Sequence, residues 1–99
     1  MEKAVRSNLL ESASEYVKVD IDDHVFLIAF DAAVEIVEGA VGGFDTDSAR
    51  AKLALFLITQ NLYDNRTILE SKNNEKISYI ARTILLQLKL DNDTEDTDG

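Results

Sequence analysis

The chain has no cysteine, proline or tryptophan, and its 99 residues include only four glycines and one histidine. Without cysteine, neither a disulfide framework nor a thiol nucleophile is possible. The absence of proline and the scarcity of glycine favour helices joined by few sharp corners. No stretch approaches the roughly 18 uncharged apolar residues of a membrane helix. The first residues also lack the apolar segment of a signal peptide, so we expect a protein made in the cytoplasm.

Acidic residues outnumber basic ones, and the formal net charge is -9. Residues 91–99 hold five acids, no base and no apolar side chain, so we expect this tail to be disordered. Residues 1–90, with 14 acids against 10 bases, form the predicted domain. Because those bases are scattered along the chain, the sequence argues against tight binding to a nucleic-acid backbone.

The spacing of apolar residues predicts one all-α domain, a small bundle of about four helices. The helices are expected from about Ser7 to Tyr16, from Asp20 or Asp22 to Gly39 or Gly42, from a cap at Asp45, Thr46 or Asp47 to Asp64, and from Asn74 to Leu90. The predicted buried face of the second helix is Phe26, Ala29, Phe30, Ala33 and Val37. That of the last helix is Ile77, Ile80, Ala81, Ile84, Leu85 and Leu88.

The third predicted helix contains six consecutive apolar residues, 53–58, so the middle of this helix is apolar on every side. A short chain has few elements to wrap such a helix, so we expect another copy to cover part of it. Val34, Leu55 and Phe56 are the predicted contacts between subunits. Leu55→Asp should abolish assembly if Leu55 faces a neighbour, and unfold the subunit if Leu55 lies in the core.

The first of two candidate polar clusters is formed by Asp20, Asp22, Asp23 and His24. Three carboxylates and an imidazole could bind a divalent cation, but the glycine and glutamate positions of an EF-hand loop are not matched. The favoured interpretation is that the acids cap the second helix and that His24 faces solvent. We therefore expect no metal and no cofactor.

The second cluster, residues 63–66, lies where the long apolar helix meets a loop. One interpretation is helix termination, with Asn65 as the C-cap. The other is a contact surface anchored by Tyr63 and Arg66, because tyrosine and arginine often dominate interfaces. The two remain equally open on spacing alone. No constellation of catalytic residues accompanies either cluster, so we do not expect an enzyme.

Several segments, taken in order, resemble the head–tail connector, or DNA-packaging adaptor, proteins of long-tailed phages and prophages. The segments are YVKVD at 16–20, DD at 22–23, IVEG at 36–39, ARAKLA at 49–54, LYDNR at 62–66, and KISYI through LLQLKL at 76–90. Together with the short N-terminal helix that ends in the first segment, they span about residues 7–90. Many members of the family carry a proline in the loop before the last helix, and this chain has none.

The resemblance implies a structural role at the head–tail junction of the virion. Members are small helical proteins that form a homo-oligomeric ring beneath the portal protein. The ring extends the DNA channel, and it contacts the next connector or tail protein. An acidic channel wall would let DNA pass without holding it. The rival hypothesis is a small dimeric regulatory or antitoxin-like protein with a two-fold interface, and a metal-dependent hydrolase is a third.

Overall fold

A computed structural model describes residues 3–41, 48–71 and 74–88. These residues form five helices and no strand, which confirms the all-α prediction. The helices are α1 Lys3–Val17, α2 His24–Val41, α3 Ala49–Asp64, α4 Arg66–Ser71 and α5 Asn74–Gln87. The acidic tail 91–99 and the proposed caps Asp45, Thr46 and Asp47 lie outside the described residues.

Helix α3 occupies the centre of the bundle and packs against each of the other four helices. Its most extensive contact is with α2, and together they supply the largest wholly buried side chains: Phe26, Phe30, Leu55, Ile58 and Leu62. The chain itself therefore covers most of α3. The sequence-based expectation that another copy is needed to wrap this helix was too strong, because four helices of the same subunit surround it.

Helix α1 begins at Lys3 rather than at Ser7, and its end is fixed by a left-handed residue. Lys18 has a φ of 63°, and the Val19 N–H donates to the Ser14 carbonyl oxygen across 3.0 Å. This hydrogen bond from the second residue past the helix cap is the signature of a Schellman motif. The half-buried Val19 packs against the core, so the motif also directs the chain toward α2.

The predicted buried face of α2 is confirmed, since Phe26, Ala29, Phe30, Ala33 and Val37 are all wholly buried. The helix continues past Gly39 to Val41, so Gly39 does not end it. On α5, Ala81, Ile84 and Leu85 are buried as predicted, while Ile77 and Ile80 of α5, and Leu88 just after its last residue, are half-buried against the same core. Three-four spacing thus identified the inner face of both helices.

Two polar residues cap α3. Ser48 has extended backbone geometry, and its hydroxyl accepts the Ala51 N–H across 3.1 Å, which makes it the N-cap. The predicted cap at Asp45, Thr46 or Asp47 is therefore corrected to Ser48. Asn65 is the C-cap, which agrees with the first of the two interpretations of residues 63–66, and its backbone N–H donates to the Asn61 carbonyl oxygen across 3.0 Å. The chain then forms α4, where a loop was expected. No glycine or proline interrupts residues 65–71, and Leu69 packs against the core.

Candidate interaction surface

The two polar clusters of the sequence meet in the folded chain. The Tyr63 hydroxyl, in the last turn of α3, donates a hydrogen bond of 2.9 Å to Oδ2 of Asp23 at the start of α2. Both side chains are partly buried. The contact joins residues 40 positions apart, so each cluster supplies one half of a single polar site.

Asp23 also caps α2. Its other carboxylate oxygen, Oδ1, accepts the Val25 N–H across 2.9 Å and the Phe26 N–H across 3.1 Å. These are two of the donors that the first turn of a helix leaves without an intrahelical partner. The general prediction that an acid of this cluster caps the second helix is confirmed, but the cap is Asp23. The expectation that the helix begins at Asp20 or Asp22 is corrected, because α2 begins at His24. His24 is exposed, also as predicted.

Arg66, the first residue of α4, completes the arrangement. Its guanidinium carbon lies 5.0 Å from the centroid of the Tyr63 ring, a distance typical of a cation–π contact. The pKa of Asp23 is lowered, first because the Phe26 N–H bonds to the carboxylate and then because Tyr63 donates to it. The same hydrogen bond raises the pKa of Tyr63. The site therefore stabilises a charged Asp23 beside a neutral Tyr63.

The cation-binding interpretation of residues 20–24 gains nothing from the geometry. Oδ1 of Asp20 accepts the Asp22 N–H across 3.0 Å, and Asp23 is used by α2 and Tyr63. Among the residues that the structure describes, no group of three or more histidine, cysteine, aspartate or glutamate side chains could hold a metal ion.

The five predicted interface residues do not share one surface. Leu55 is wholly buried in the core, so its side chain offers nothing to a partner, and its assignment as a contact residue is corrected. Val34 and Phe56 are half-buried, and the Phe56 ring lies 5.5 Å from that of Tyr16. Tyr63 is half-buried against Asp23, and Arg66 is exposed. Phe56 is thus mostly engaged within the subunit.

The most exposed of the large apolar side chains do not belong to these five residues, and the sequence analysis did not identify them. Tyr79 is 73% exposed, Leu86 49% and Ile28 45%. The signal was present in the helical spacing. Ile28 falls on the polar face of α2, and Tyr79 and Leu86 fall opposite the buried face of α5. An apolar residue on a polar face is the pattern that would have identified them.

None of the helices in the described ranges combines the length and apolar character that a membrane span requires. Comparisons with protein-family models, with curated proteins and with solved structures find no match to this chain.

Proposed function

We propose that this chain is a subunit of a phage or prophage head–tail connector. In this proposal, copies form a ring beneath the portal, extend the DNA channel and join the head to the tail. The proposal is supported by the order of the segments between residues 16 and 90, which resemble that family, and by the small all-α fold. In this proposal the chain acts by assembling with other copies, and it uses no catalytic residue or cofactor.

The observation that carries the proposal is the apolar surface that remains after the subunit has folded. Ile28, Tyr79 and Leu86 stay between 45% and 73% exposed, although the chain buries most of α3. Moving a large apolar side chain fully out of water contributes about 1.5–3 kcal/mol. Contact with neighbouring subunits or connector proteins would recover part of this free energy.

The proposal is tested by removing the gene for this chain from its phage or prophage. Head–tail joining should fail, and electron microscopy should show DNA-filled heads and separate tails. Supplying the gene from a plasmid should restore complete particles. Complete particles in the absence of the gene would contradict the proposal. Heads that assemble capsid and portal normally but contain no DNA would also contradict it.

The channel part of the proposal has its own test. A net charge of -9 should repel phosphates, so duplex DNA should not bind the protein even at about 50 mM salt, where basic surfaces bind most tightly. Fluorescence anisotropy of a labelled duplex measures this directly. Salt-sensitive binding of the duplex would contradict a channel that lets DNA slide.

A further inference from the structure

Charge is divided unequally between the two halves of the described chain. Residues 3–41, which contain α1 and α2, carry eight acids and three bases. Residues 48–71 and 74–88, which contain α3 to α5, carry three acids and five bases. The helices α1 and α2 are therefore negative and the helices α3 to α5 are weakly positive, while the tail 91–99 adds five acids to the sequence after them. Two copies attract each other when α1 and α2 of one copy meet α3 to α5 of the other.

Each half also presents one exposed stripe with an apolar residue and an unpaired charge. On α2 the stripe is His24, Ile28, Asp31, Glu35 and Gly39, at spacings of three and four. Asp31 pairs with Arg6 of α1. The Glu35 side chain makes no hydrogen bond or ion pair with any other residue in the described ranges.

The stripe on α5 consists of Glu75, Tyr79, Arg82 and Leu86, again at spacings of four and three. Tyr79 and Leu86 are the two most exposed large apolar residues in the described ranges, and Arg82 lies between them. Arg82 also borders a shallow groove against Ile36 and Ala40 of α2. Within the part of the chain that is described, it has no ion-pair partner.

We propose that the α5 stripe of one copy docks on the α2 stripe of a second copy, with Arg82 against Glu35 and the apolar residues packed beside this pair. The two stripes differ, so the contact is heterologous and passes from copy to copy. A contact of this kind closes into a ring when the rotation between copies is right. The inference rests on the proposed ring assembly and names the surfaces that would build it.

Charge reversal at the two positions tests this contact. Glu35→Arg alone would place two arginines together, and Arg82→Glu alone would place two glutamates together. Each variant should self-associate at least about tenfold more weakly than the unmodified chain in sedimentation velocity. An equimolar mixture should associate like the unmodified chain, because every contact in an alternating assembly then joins opposite charges. Circular dichroism checks that each variant is folded.

A two-fold dimer would give a different pattern. If α5 packed antiparallel on α5, Glu75 would meet Arg82 of the other copy, so Arg82→Glu would disrupt association while Glu35→Arg would not. That result would overturn the heterologous contact. Association that survives both charge reversals would also overturn the heterologous contact. The connector proposal would still be tested separately by the gene-removal experiment. An unmodified chain that stays monomeric at about 1 mM would overturn the heterologous contact as well.

Cysteine crosslinking provides a second measurement that does not depend on affinity. Because the chain has no cysteine, a disulfide can form only between engineered positions. Protein carrying Ile28→Cys is mixed with protein carrying either Tyr79→Cys or Leu86→Cys and is then oxidised. Mixed dimers should exceed dimers of either variant with itself. Crosslinking of like positions alone would overturn the proposal.

Discussion

Tyr63 and Asp23 form a 2.9 Å hydrogen bond that ties the last turn of α3 to the first turn of α2. The same carboxylate holds the first turn of α2 through the N–H groups of Val25 and Phe26. The helix cap and the contact between helices therefore depend on one charge. Loss of that charge weakens both, whether it comes from substitution or from protonation.

Removing the Tyr63 hydroxyl should make the subunit less stable at neutral pH. Tyr63→Phe keeps the ring beneath Arg66 but leaves Oδ2 of Asp23 without its phenolic donor. Urea unfolding at pH 7 measures the change in the free energy of unfolding. Tyr79→Phe is the matched control, because Tyr79 is 73% exposed and should tolerate the change. Equal stability of the two variants would contradict a stabilising bond.

The hydrogen bond between Tyr63 and Asp23 should make the stability of the subunit depend on pH at both the acidic and the alkaline end. The folded-state pKa of Asp23 lies below its ordinary value of 3.8, so its contribution is complete above that value and is lost as the pH falls through the folded-state pKa. The pKa of Tyr63 is raised above 10.0, so its contribution is present below that value and is lost as the pH rises through the raised pKa. Tyr63→Phe should remove the alkaline loss that Tyr63 causes, as measured by urea unfolding between pH 7 and about 11.

Leu55 and Leu53 should respond very differently to truncation, although both belong to the apolar run of α3. Leu55 is wholly buried and Leu53 is 38% exposed. Leu55→Ala should cost about 2–5 kcal/mol because it leaves a cavity in the core. Leu53→Ala should cost less than about 1 kcal/mol. Leu55→Asp should unfold the subunit, as shown by the loss of helical circular dichroism. A folded Leu55→Asp protein would contradict this core position.

These residues show which parts of the structure the sequence predicts. The buried faces of α2 and α5 follow from spacing, because each helix has one apolar side that only the core can cover. The burial of Leu55 does not follow, because residues 53–58 make the middle of α3 apolar on all sides and the surroundings of that helix depend on how five helices pack. The bond between Tyr63 and Asp23 is likewise set by tertiary packing. Local patterns placed each of the two residues near the end of a helix, but they could not show that the two side chains contact each other.

Lys18 has a positive φ, and glycine should improve this position. The left-handed conformation costs a residue with a Cβ atom about 1–2 kcal/mol, and glycine adopts it freely. Glycine also gains freedom in the unfolded chain, so Lys18→Gly should stabilise the subunit by a net amount of about 0.5–1 kcal/mol. Lys18→Ala removes the charge but keeps the Cβ atom, so it should give no gain. Thermal unfolding of both variants separates strain from charge.

Gly39 lies inside α2, where the fold makes no visible use of a glycine. A Cβ atom added there would meet nothing within 4 Å, and the residue is exposed. Gly39→Ala should therefore stabilise the subunit by about 0.5–1 kcal/mol, because alanine loses less backbone entropy on entering a helix. Gly39→Val should gain less, since a β-branched side chain is restricted in a helix. Urea unfolding of the three proteins should give the order Ala, Val, Gly from most to least stable. A loss of stability in Gly39→Ala would mean that the backbone at this position needs a conformation that alanine resists.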